Sequence, residues 1–214
     1  MRRLALLLVL MLPELPAAAQ QPPDTKLVVQ QGGREIGREE FSLRQGRGRG
    51  APGSTLTATA RYPAVNPTSQ LTATLERTSE SALAKFQLDV ESPAGTTVIL
   101  AAGSGARLIV RTVAKGSESG RELPGGPDVV LLDESVFSLY ATVADLATPA
   151  GKPLTAIFPR TGKRASFVAK REGGDGSVRV TLTGDLAGTL VTDREGRLER
   201  LELPGQNTVV ARAE

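Results

Sequence analysis

The chain has 214 residues, with 26 Lys plus Arg against 23 Asp plus Glu, 23 Gly, 14 Pro and only 3% aromatic residues. It contains no Cys, no His and no Trp. Without Cys there is no disulfide, thiolate nucleophile, iron–sulfur cluster or zinc ribbon, and without His there is no Ser-His-Asp triad, no HExxH zinc site and no proximal haem ligand.

Arg2 and Arg3 form a short positive start, Leu4 to Leu12 is an unbroken apolar run, and Ala17, Ala18 and Ala19 supply small residues before Gln20. This is the three-part layout of a secretory signal peptide, expected over residues 1–19. The apolar run is too short for a membrane span, which takes about 20 residues. The mature chain is therefore expected to be exported and not membrane-spanning, periplasmic in a Gram-negative source and otherwise secreted. Its remaining charge is nearly balanced and mixed in sign along the chain, which argues against a nucleic-acid partner. Residues 20–23 read as a disordered lead-in, and 24–214 as a single β-rich domain.

After the lead-in, period two dominates. Leu56, Ala58, Ala60 and Tyr62 alternate with Thr55, Thr57, Thr59 and Arg61. Leu71, Ala73 and Leu75 share one face, as do Phe86, Leu88 and Val90, and then Val178, Val180 and Leu182. Such alternation marks half-buried antiparallel strands. Turn residues at Gly32-Gly33, Pro63–Pro67, Pro93–Gly95, Gly103–Gly105, Gly173–Gly176 and Asp193–Gly196 separate them. The count is roughly a dozen strands, as in a barrel, half-barrel or sandwich. Ser117–Pro127 is Gly/Pro-rich and reads as a loop, and no strand alternates with a helix as a parallel sheet requires.

One segment breaks the rhythm. Val136, Phe137, Leu139, Tyr140, Val143 and Leu146 recur at helical spacing after Asp133-Glu134-Ser135. The pattern predicts an amphipathic helix over 133–147, capped by Asp133, with Glu134 at the positive end of its dipole and Phe137 and Tyr140 on the buried side.

Chemistry-bearing motifs fail on context. Gly48, Gly50 and Gly53 match GxGxxG, but Pro52 interrupts the motif and a strand follows where a dinucleotide site needs a helix. Gly103-Ser104-Gly105 lacks the nucleophile elbow's spacing, and the chain lacks its His partner. Arg160-Thr161-Gly162 has no accompanying Ser-x-x-Lys, and no acidic run suits calcium. No catalytic residue, metal ligand or cofactor site is read from the sequence. A carboxylate-based hydrolase stays open only because it needs nothing beyond an acidic pair.

Two basic clusters remain. Arg34, Arg38, Arg44, Arg47 and Arg49 are interleaved with Glu35, Glu39 and Glu40, as on a solvated strand pair. Arg160, Lys163, Arg164, Lys170 and Arg171 have no acidic residue among them. As a strand, 164–171 would point Arg164 and Lys170 outward and Ala165, Phe167 and Ala169 inward. That outward face suits either an anionic surface or plain solvent.

Gly33–Phe41, with Ile36 and Gly37, resembles an opening hairpin of the form G-x-x-I-G-x-x-x-F. Leu132–Tyr140 resembles a mid-chain helix ending in Leu-Tyr, and Gly188–Leu201 a closing hairpin with D-x-x-G-R-L-x-x-L. In this order the stretches resemble exported bacterial domain-of-unknown-function families. The resemblance implies a mainly β fold. Its curved antiparallel sheet is a half-barrel similar to the periplasmic lipoprotein-carrier fold, with the helix on its concave side. It carries no catalytic residues and implies a non-enzymatic binding or envelope role. Phe86, Phe137, Tyr140, Phe158 and Phe167 are then candidates to line a site for an apolar or lipidic ligand, the other reading being that all five are core. An envelope structural or protein-interaction domain is the alternative function.

Overall fold

The computed structural model describes residues 24–46, 53–173 and 176–213. The expected leader and lead-in lie outside these residues, as do Arg47, Arg49, Gly48, Gly50 and Asp175. Among the described residues, fifteen strands, not a dozen, form one sheet. They are β1 (Thr25–Gln31), β2 (Arg34–Gln45), β3 (Ser54–Tyr62), β4 (Ser69–Arg77), β5 (Leu83–Ser92), β6 (Gly95–Ser104), β7 (Arg107–Ala114) and β8 (Ser117–Pro124). After these come β9 (Val129–Leu131), β10 (Lys152–Ile157), β11 (Arg164–Glu172), β12 (Val178–Gly184), β13 (Gly188–Thr192), β14 (Leu198–Leu203) and β15 (Thr208–Arg212).

Each strand pairs with its sequence neighbour, and β15 returns to pair with β1. The one missing ladder is between β8 and β9, which are therefore the two edges. Only residues 125–128 separate those edges in sequence. Four residues reach at most ~3.6 Å each, whereas fifteen strands laid flat at ~4.8 Å spacing would put the edges far further apart. The sheet must therefore curl until its edges nearly meet, leaving a seam. Arg121 of β8 donates to Pro159 O beyond β10 across that seam.

The inward set of the alternation is buried as expected. Leu56, Ala58, Ala60, Leu71, Ala73, Leu75, Phe86, Leu88, Val180 and Leu182 all belong to the core, while Val90 and Val178 at strand ends are half-buried against it. Ser117–Pro124 is a strand and not the expected loop. Its side chains are nearly all exposed, so it carries no apolar period, and its only ladder is with β7. Strand β9 and β10 are parallel, contrary to the expectation that no strand–helix–strand unit exists. The twenty residues between them carry the helix, the length of connection a parallel crossover needs.

That helical segment is shorter than predicted. A 3-10 turn, Phe137–Tyr140, runs into α1, Ala141–Leu146. Asp133 does not cap it. Its Oδ1 accepts the Ser135 N–H at 2.8 Å and its carboxylate is clamped by Arg160, so 133–136 form a separate turn. The helix is also not amphipathic. Every residue from Phe137 to Leu146 is buried except Asp145, because the curled sheet surrounds it. It lies on the concave side, packed against β11, β12 and β13, while the 3-10 turn meets β2 and β14.

So short a helix is marginal alone and depends on its surroundings. The sheet supplies charges that match both ends. Glu39 of β2 accepts the N–H groups of Phe137 at 2.8 Å and Ser138 at 3.0 Å. Arg77 of β4 donates to Thr142 O at 3.1 Å, and Arg171 of β11 to Ala144 O at 2.5 Å. A carboxylate at exposed N–H groups and guanidiniums at terminal carbonyls both oppose the helix dipole favourably.

The start of β3 needs glycine for a steric reason. A Cβ on Gly53 would lie 1.9 Å from Thr78 O, and Gly53 N–H bonds Arg77 O at 2.7 Å. Gly53→Ala is expected to lower stability by about 2 kcal/mol through backbone displacement, read by urea denaturation. An unchanged midpoint would show that the β4–β5 turn yields freely.

Candidate functional site

Two features stand out around the helix and the seam. The first is a buried polar cluster where the helical segment begins. Glu39 is 1% exposed and Asp133 is 1% exposed. Burial pushes the Glu39 carboxyl up to about 7, opposed by hydrogen bonds from Ser138 and Phe137. Asp133 is also raised by burial, although Arg160 beside it acts the other way. Arg160 grips Asp133 with Nε to Oδ2 at 3.0 Å and a terminal nitrogen to Oδ1 at 2.9 Å, and reaches Ser135 Oγ at 3.2 Å. Tyr62 donates its hydroxyl to Ser135 O at 3.0 Å, and burial raises its phenol. Raised carboxyls are a hallmark of catalytic acids. Here both carboxylates are already engaged by this chain's own N–H groups and guanidinium, so the geometry suits anchoring of the helix.

The second feature is a half-enclosed chamber of about 500 Å³ at the corner of the seam. It lies between the β4–β5 turn, the β6–β7 turn and the 125–128 link. Leu83, Ala84, Leu108 and Val129 supply apolar walls, and Gly103, Gly105, Gly125 and Gly126 leave the space open. Thr78 borders it on the turn side. This size and lining suit a small apolar ligand.

The five aromatic candidates lie elsewhere. Phe86, Phe137, Tyr140, Phe158 and Phe167 are all buried in the core, with Phe137 and Tyr140 stacked at 6.4 Å between ring centroids. Phe167 also borders a shallow groove of about 470 Å³ beside β10 and β12.

The five basic candidates do not share one outward face. Arg164 and Lys170 are exposed on β11, opposite buried Ala165, Phe167 and Ala169, as the alternation predicts. Arg160 turns inward to Asp133, and Arg171 to the helix. Lys163 sits 5.7 Å over the Phe158 ring and 3.7 Å from Glu134. Of the Arg/Glu cluster expected on a solvated strand pair, Glu39 is the exception, because alternation along β2 turns it to the concave side with Phe41.

Among the described residues, no helix is long and apolar enough to cross a membrane. A mostly β protein, one open fifteen-stranded sheet curled about a single short helix, is the class these features define. No family model and no curated protein matches the chain. Among solved structures, it is similar to the crystal structure of a DUF1089 family protein from Pseudomonas aeruginosa. That match has 14% identity and a TM-score of 0.52, and covers 92% of this chain and 98% of that one. At this identity the likeness is one of fold. It is a likeness to an uncharacterised domain family, and lends no support to a similarity with lipoprotein carriers.

Proposed function

We propose that this chain is a non-enzymatic, exported module that holds an apolar or amphiphilic ligand in the seam chamber. The observation that carries the reading is the chamber itself: an open apolar space of about 500 Å³ walled by Leu83, Ala84, Leu108 and Val129. Its position supports access from outside, since it lies where the two sheet edges approach without a hydrogen-bonded ladder. The leader-like pattern of residues 1–19 supports export.

Titration with the neutral probe N-phenyl-1-naphthylamine tests the reading. Saturable fluorescence enhancement is expected for the native chain. Ala84→Trp places a ring in the chamber from a half-buried strand position and is expected to abolish the signal while leaving the thermal melt intact. A signal that persists in Ala84→Trp, or is absent from the native chain, removes the chamber as the site.

A second reading, an envelope interaction domain, is favoured by exposed Ile109 and Val113 on β7 beside the edge strand β8. It predicts self-association or partner binding that Ile109→Glu disrupts in sedimentation experiments.

A further inference from the structure

The β4–β5 turn separates the apolar chamber from a second, polar pocket. Thr78 borders both. The turn is well held: Thr78 N–H bonds Ala82 O at 2.8 Å, Ser81 N–H bonds Thr78 O at 2.9 Å, and Thr78 Oγ1 accepts the Ala82 N–H at 3.2 Å. On its far side the second pocket encloses about 280 Å³. Ser54, Thr78, Ser79, Ser81, Asp145 and Arg171 line it.

The charges there are unevenly matched. Arg77, 4% exposed, spends its guanidinium on the carbonyls of Ser81 and Thr142. Arg171 gives one terminal nitrogen to Ala144 O, and its Nε is buried with no hydrogen-bond partner among the described residues. Asp145 lies within electrostatic range of both guanidiniums. The three groups together carry one excess positive charge, and Arg171 itself lines the pocket, so an anionic acceptor is favoured there.

We infer that the seam chamber and this polar pocket together form one bipartite site for an amphiphile, its apolar tail in the chamber and an anionic phosphate or carboxylate headgroup beside Arg171. The inference rests on the chamber reading above and adds the headgroup class. The β4–β5 turn is the fulcrum, and its serines offer hydroxyl donors to the same headgroup. Arg171 is the residue whose charge sets the preference, and Asp145 moderates it.

Calorimetric titration with decyl phosphate, decanol and inorganic phosphate tests this. Decyl phosphate is expected to bind about tenfold or more tightly than decanol, the scale of one charge-assisted hydrogen bond. Arg171→Gln is expected to erase that preference while leaving decanol affinity unchanged, and its melting curve checks the fold. Asp145→Asn, a change at an exposed position, is expected to enlarge the preference. Equal affinities for the ester and the alcohol, or a preference untouched by both variants, would overturn the headgroup assignment and leave the chamber standing. Inorganic phosphate binding as tightly as decyl phosphate would show a free-anion pocket and overturn the bipartite site. Failure of both decyl compounds to bind would remove the chamber reading and this inference together.

Discussion

Glu39→Gln is expected to abolish a pH dependence of stability worth about 3 kcal/mol between pH 4.5 and 8. In the folded chain burial raises this carboxyl from an ordinary 4.5 to about 7. The folded state therefore binds the proton more tightly than the unfolded state. Its stabilising contribution is complete below about pH 4.5 and is lost as pH rises through about 7. Urea denaturation across this range should show the native midpoint falling with pH, with a much flatter profile for Glu39→Gln. Asp133 is raised in the same direction. In Asp193, burial acts upward but bonds from Arg212 and Arg197 outweigh it, so that carboxyl is lowered and contributes with the opposite sign. The difference between native and variant isolates Glu39. Parallel profiles would mean that Glu39 does not titrate in this window. Glu39→Ala leaves the Phe137 and Ser138 N–H groups without their acceptor, at about 1–3 kcal/mol each, so its melting temperature should fall at every pH.

Arg160→Ala is expected to destabilise the chain by about 3–5 kcal/mol, because it leaves the Asp133 carboxylate buried without its guanidinium. The pair is bidentate, and Asp133 is 1% exposed. The same clamp holds the 133–136 turn through Ser135 Oγ, so loss of Arg160 should also loosen the entry to the helix. Adding Asp133→Asn to Arg160→Ala removes the stranded charge and should recover a large part of the loss in urea denaturation. A double variant no more stable than the single one would place the cost in the lost packing of Arg160 and not in the charge. These two experiments address the entry to the helix, whereas Ala84→Trp addresses the seam chamber, so the two regions are tested independently.

How far the sequence could be read differs sharply between elements. The β3, β4, β5, β11 and β12 strands were legible because one face of each is apolar and the other polar, and period two survives in the residues themselves. Strand β8 was not legible. Both faces of an exposed edge are polar, so Ser117–Pro124 carries turn-like residues and no alternation. The helix was visible through its apolar spacing, but its start was misplaced at Asp133, whose carboxylate satisfies Ser135 and Arg160 instead. Glu39 looked like one of three interleaved surface acids. Only strand parity beside Phe41 hinted that it turned inward. The seam chamber left no signal, since its walls come from two turns and a link far apart in the chain.

From the residues alone came the mainly β class, the faces of the strands with a clear alternation, the single helix and the absence of thiol and imidazole chemistry. Those are local properties, set by side-chain periodicity and by which residue types exist. The curl of the sheet, the seam, the burial of Glu39 and Asp133, and the pairing of Arg77 and Arg171 with the helix carbonyls were decided only in three dimensions. Each depends on long-range closure, in which the β15–β1 ladder and the short 125–128 link bring groups from opposite ends of the chain around one helix. No short window of sequence carries that geometry.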